Sequence, residues 1–189
     1  MKKKTVALLL SLVLVFGVIA GGTLAWLIDK TDPVTNTFTV GDINIDLDES
    51  KNLDLKIVPG KNITKDPKVT VEANSEACWL FVKVEESNWP DFKNGTARKV
   101  DYKMATGWTA LDETNYPGVY YREVAATTSA VVYPVLLNNT VTVSDTLSKT
   151  EVNQITANPT LTFTAYACQK DGINDAPTAW AKINPTSGN

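Results

Sequence analysis

The chain has 189 residues and no histidine, a count that removes more chemistry than any motif adds. Without imidazole there is no Ser–His or Cys–His nucleophile pair and none of the usual ligand sets of a catalytic zinc. The carboxylates Asp42, Asp46, Asp48 and Glu49 cluster in sequence, but they lack the glycine-centred loop of a calcium hand, and strand alternation puts Asp46 and Asp48 on a solvent face. The pairs Glu85–Glu86 and Asp112–Glu113 have the composition of ordinary surface turns. No catalytic residue, no metal site and no cofactor is expected. The aromatics Trp89, Trp108, Tyr116, Tyr120 and Tyr121 have two uses: turn aromatics can stack on sugar rings, and a β-sandwich needs aromatics for its core and corners. Packing is the favoured use, because aromatic side chains dominate burial energy.

These groups sit behind a leader. Residues 1–25 open with Lys2, Lys3 and Lys4, continue as an apolar run from Val6 to Ala20, and end in Thr23-Leu24-Ala25. That is the pattern of a secretory signal, with small residues at Thr23 and Ala25 and cleavage expected before Trp26. The uncharged run is also long enough to span a bilayer, so contact with a membrane is expected only through the uncleaved leader. Cleavage leaves 164 residues, with 15 basic side chains against 21 acidic ones, and moves the net charge from −3 to −6. A domain of that sign is a poor partner for nucleic acid.

The mature chain reads as strand after strand. Val34–Val40 and Ile43–Leu47 alternate apolar and polar residues around Gly41-Asp42, and Leu53, Leu55 and Ile57 continue the alternation. Further strands are predicted at 68–72, 77–84, 98–104, 108–111, 119–124 and 160–169. Pro134 within 130–137 argues for an edge or a bulge, because proline cannot donate to a ladder, and 141–143 extends an adjoining strand. A short helix is predicted from Asp175, its cap, to Ile183, with Pro177 in the first turn. The fold class is therefore all-β: a jelly-roll-like antiparallel β-sandwich at 41–189, preceded by the leader helix and a strand segment at 26–40, and closed by a short C-terminal helix.

Cys78 and Cys168 are the two cysteines of a chain addressed to an oxidising compartment, and the compartment argues for a disulfide. Such a bond closes a loop of about 90 residues, worth roughly 4–5 kcal/mol in the chain-entropy description. Strand phase argues against it. Cys78 shares its face with Leu80 and Val82, and Cys168 shares its face with Thr164 and Tyr166. A bulge, or cysteines at strand ends, would bring the two together, and on the strength of the compartment a bond between Cys78 and Cys168 is expected.

The leader ending Gly21-Gly22-Thr23-Leu24-Ala25, followed by Trp26-Leu27-Ile28-Asp29, resembles the secreted TasA and camelysin (CalY) proteins of Gram-positive bacteria. The turn Val58-Pro59-Gly60-Lys61 with Lys65, and the strand Leu161–Ala167, resemble that family too. The resemblance implies cleavage by a SipW-type signal peptidase, export to the cell surface or medium, and assembly into biofilm matrix fibres. In such fibres the N-terminal segment of one subunit fills a strand position in its neighbour. The donor residues here would be Trp26, Leu27, Ile28, Val34 and Phe38. The alternative is a monomeric secreted β-sandwich that binds a glycan or a host surface.

Overall fold

The strand CWLFVKVEES, β4 (Cys78–Ser87), is apolar on both faces over its first half, a pattern that requires cover on both sides. Its register supplies two partners. β4 pairs antiparallel with β12 (Thr160–Gln169) from Cys78↔Gln169 to Ser87↔Thr160 and with β9 (Tyr116–Val124) on its other side. The computed structural model describes residues 42–50 and 56–183. Thr23, Ala25, Trp26, Leu27, Ile28, Val34 and Phe38, with the predicted strand at 34–40 and with Leu53 and Leu55, lie outside the described residues.

β12, β4, β9 and β8 (Thr109–Asp112) form one four-stranded sheet in that order. Facing it are β1 (Ile45–Asp48), β3 (Lys68–Val71) and β10 (Val131–Pro134) in one ladder, and β2 (Ile63–Thr64), β11 (Leu136–Val143) and β7 (Val100–Met104) in another. The two ladders join into one layer, because the Val135 amide donates to the Pro67 carbonyl and the Lys65 amide to the Asn139 carbonyl, both at 2.9 Å. A two-stranded hairpin of β5 (Lys93–Asn94) and β6 (Ala97–Arg98) stands apart from both. Pro134 ends β10, an outer strand of its ladder, in keeping with its missing donor. The stretch at 141–143 is the end of β11.

Val69 and Val71 of β3, Val141 and Val143 of β11, and Cys78, Leu80, Val82 and Val84 of β4 meet between the layers as the main core. The all-β antiparallel sandwich predicted from the alternation is the observed architecture. Leu161, Phe163, Ala165 and Ala167 pack against that core, so β12 turns the face read from its sequence inward.

Among the described residues, two helices complete the domain. α1 (Lys149–Asn153) is a single turn closed by a capping box, in which Ser148 accepts from the Glu151 amide and Glu151 reaches back to the Ser148 amide at 2.7 Å. α2 (Ala176–Ile183) begins as predicted, with Asp175 accepting from the Thr178 amide at 2.7 Å. It lays Ala176, Ala179 and Trp180 over Trp79 and Phe81, on the outer face of β4. The Trp79 indole donates to the Ile173 carbonyl at 3.0 Å, and Trp180 meets Phe81 and Tyr166 at centroid distances of 5.3 and 5.2 Å.

One glycine is fixed by the packing of β4. Gly118 has φ +76°, and a Cβ there would sit 2.3 Å from the Val84 carbonyl oxygen. The second core stands on Trp180, which is 1% exposed. Trp180→Ala is expected to cost about 3–5 kcal/mol of unfolding free energy, read as a lower urea midpoint, while the far-UV spectrum of the remaining sandwich persists.

Candidate functional site

The two layers are not closed along one side. β12 ends its sheet, pairing only with β4 among the described strands, and β1 ends the facing layer. β1 runs close to β12 without a ladder between them. Both therefore present a row of backbone N–H and C=O groups with no strand partner among the described residues, the feature that templates strand addition.

At the end of this seam where β12 begins, a cleft of about 510 Å³ opens into the main core. Ile57, Ile63, Val100, Val141, Val152, Ile155 and Leu161 make its apolar walls, and Trp89, Pro159, Asn158 and Lys56 lie around them. That size and lining suit an apolar side chain or a small ligand. α1 holds one wall in place: Lys99 bonds Glu151 at 2.8 and 3.0 Å, and together with Ser148 this holds the Glu151 carboxyl down to about 2, well below its ordinary value. Lys65, which also lines the cleft, bonds Glu49 Oε2 at 2.7 Å and lies 5.3 Å from the Phe163 ring centre. Glu49 Oε1 is buried and accepts no hydrogen bond from a described residue.

The chain enters the sandwich at the other pole. The Glu76 amide donates to the Asp42 carbonyl at 3.0 Å, and the Glu72 amide to the Asn44 carbonyl at 2.8 Å. The buried Ser75 bonds both the amide and the carbonyl of Asn44. This tie lies beside Cys78, which faces Gln169, whereas the cleft lies beside Thr160, which faces Ser87. At about 3.3 Å per residue, the ten residues of β4 separate the poles by roughly 30 Å.

The carboxylates are engaged elsewhere. Glu85 pairs with Lys83 at 2.8 Å, and Glu86 binds Arg98 through two bonds of 2.9 Å. Asp112 accepts from the side chain and amide of Asn115 and the amide of Thr114, which hold its pKa low. Asp46 and Asp48 are exposed on β1. Among the described residues, no group of three or more acidic, cysteine or histidine side chains is arranged to hold a metal. The aromatics are likewise divided. Trp89 donates to the Val100 carbonyl at 3.2 Å and packs edge-on to Tyr102, Trp108 and Tyr120 join the main core, and Tyr116 and Tyr121 join the core under α2. They do not converge on one surface. The cleft itself was not singled out from the sequence, since its walls come from segments up to about 100 residues apart.

The expected bond between Cys78 and Cys168 is absent: both thiols are free and buried. The register gives the reason. Cys168 lies opposite Trp79, and Cys78 opposite Gln169, a one-residue offset that sends the two side chains to opposite faces of the sheet. Cys78 belongs to the main core and Cys168 to the core under α2. Burial pushes the Cys78 thiol up to about 11, with Cys168 adding a smaller effect in the same direction, and burial raises Cys168 too.

Comparison with known proteins bears on the N-terminal part of the chain. Residues 1–80 match the model of the camelysin metallo-endopeptidase family, which supports the resemblance to TasA and camelysin read from the leader. No curated protein and no solved structure matches. The metal implied by the family's description does not fit this chain's donors: there is no histidine in 189 residues, and the two thiols face opposite ways and are buried. Thiol labelling checks the cysteines directly. Protein exported from cells and unfolded in urea without reductant is expected to take up two labels, and the folded protein none within minutes; an exported form with no reactive thiol would show the bond.

Proposed function

We propose that this chain is a secreted structural protein of the bacterial cell surface or biofilm matrix, released by a SipW-type signal peptidase before Trp26 and assembled by N-terminal strand addition. The observation that carries this reading is the placement of the two ends of the seam. The chain enters the sandwich at the pole of Cys78, and the cleft opens at the pole of Thr160. In this reading a segment leaving one pole meets the cleft of the next copy, a head-to-tail contact that repeats into a filament rather than closing as a dimer. The match of residues 1–80 to the camelysin family supports export, which the resemblance to the secreted TasA and camelysin proteins implies. Among the described residues, no helix is long and apolar enough to cross a membrane.

In this assembly, backbone pairing along β12 gives affinity, and Leu27, Ile28, Val34 and Phe38 set register by filling the cleft and seam. Each of Leu27, Ile28 and Phe38 contributes on the order of 1.5–3 kcal/mol on burial, before ordering costs. Domain boundaries follow the same logic: leader at 1–25, donor at 26–40, sandwich from 41. Peptidase activity is not part of the proposal, because no imidazole is present to bind zinc or act as a base.

Electron microscopy and sedimentation of the mature protein are the test. Protein beginning at Trp26 is expected to form fibres and to cleave no peptide. Ile28→Asp and a truncation beginning at Gly41 are expected to stay monomeric with an unchanged Tm. A mature protein that is monomeric at high concentration, and whose Tm falls with Ile28→Asp, would mean that the segment fills its own seam. Chelator-sensitive peptidase activity in pure protein would contradict the structural reading.

A further inference from the structure

Most cations of this domain that are withdrawn from solvent have a carboxylate: Lys65 has Glu49, Lys99 has Glu151, and Arg98 has Glu86. Arg122 of β9 does not. It lies opposite Leu80 in the ladder, so its side chain starts out toward the main core, at the margin where β8 ends the sheet. Its guanidinium carbon is 4.0 Å from the centre of the Tyr133 ring and 5.4 Å from that of Trp108. Trp108 is itself held by a 2.8 Å bond from its indole to the Pro134 carbonyl. The backbone of Gly107 borders the guanidinium edge so closely that a Cβ at that position would lie 2.9 Å from Nη2 and 3.4 Å from Nη1.

None of the Arg122 guanidinium N–H groups donates to another described residue, no described carboxylate pairs with it, and Nε is buried without an acceptor. Burial pulls its pKa below the ordinary guanidinium value, and the Tyr133 phenol acts weakly the other way. The aromatic rings compensate part of the lost hydration through their negative faces, but they accept no N–H bond. A guanidinium withdrawn from water in this way is stabilised most by an acceptor at its free edge.

We propose that Arg122, with Tyr133 and Trp108 beside it and Gly107 at its edge, is a binding site for a carboxylate. Aromatic rings and the Gly107 backbone lie against the guanidinium, and its planar fork matches a planar two-oxygen acceptor with two parallel bonds. The same chemistry has two sources: a small organic acid, or an acidic side chain of a second copy of this chain. The site lies on the β8 side of its sheet, whereas the seam lies on the β12 side. It therefore stands apart from strand addition and does not depend on it.

The experiment titrates the mature protein with sodium acetate against sodium chloride at constant ionic strength. Tm and tryptophan fluorescence are followed, with Trp108 as the neighbouring reporter, and sedimentation is run alongside on the truncation beginning at Gly41. A free-acid site gives a saturable acetate-specific rise in Tm that Arg122→Gln loses and Arg122→Lys weakens, since lysine keeps the charge and lacks the planar fork. A second-copy site gives instead a concentration-dependent dimer of the truncated protein, which Arg122→Gln or excess acetate dissociates. Should Arg122→Gln fail to fold, Arg122→Lys and the wild-type titration still decide the matter. Wild-type protein that shows neither an acetate-specific response nor Arg122-dependent association overturns the proposal.

Discussion

The double burial of β4 is the constraint on which the rest of the domain depends. Its even-numbered residues Cys78, Leu80 and Val82 enter the core between the layers, and its odd-numbered residues Trp79 and Phe81 enter the core under α2. Each face needs its own cover, so the sandwich needs both the facing layer and the C-terminal helix. The strict alternation also fixes the pairing of β4 with β12, because a one-residue slip would exchange two differently shaped faces. The separation of the two cysteines is a direct consequence. Cys78 and Cys168 lie on neighbouring strands, yet each fills a small space in a different core and neither can reach the other.

The same register decides where the domain is unfinished. β9 covers one side of β4 and β12 the other, leaving the outer side of β12 without a strand among the described residues. The facing layer stops at β1, which Ser75 and the turn at 72–76 hold in place at its start. A cleft then remains where the layers diverge beyond Asp48, lined by core residues of both. A sheet edge without a strand partner must be covered, charged or used. The ion pairs of Lys65 with Glu49 and Lys68 with Asp48 place charge along this edge, a feature that restrains indiscriminate pairing.

Much of this fold was legible in the sequence because period-two alternation is a local signal. β3, β4, β7, β9 and β12 fall where Val69, Leu80, Tyr102, Val119 and Phe163 repeat on one face, and Asp175 with Pro177 marks the start of α2. The position of Pro134 at the end of an outer strand accords with its missing amide. The disulfide was the misleading inference: the compartment argued for it, and strand phase, a physical property of the chain itself, argued correctly against it. The site was harder to read. The cleft is made of Ile57, Val100, Val152 and Leu161, each an unremarkable apolar residue in its own segment, and no local pattern says that they share a wall. Arg122 carries no local signal, since in sequence a lone arginine in a strand resembles any other; its isolation from carboxylates exists only once β8, β9 and β10 are folded together.

The central claim is that the outer edge of β12 is where a second chain adds. Amide hydrogen exchange across Thr160–Gln169, compared between assembled mature protein and the truncation beginning at Gly41, tests it most directly. The account predicts that the alternate amides of β12 that do not reach β4 exchange quickly in the truncated monomer and become protected in the assembly. The amides bonded to β4 should be slow in both. Assembled protein in which the outer amides of β12 exchange as fast as in the monomer would contradict the account.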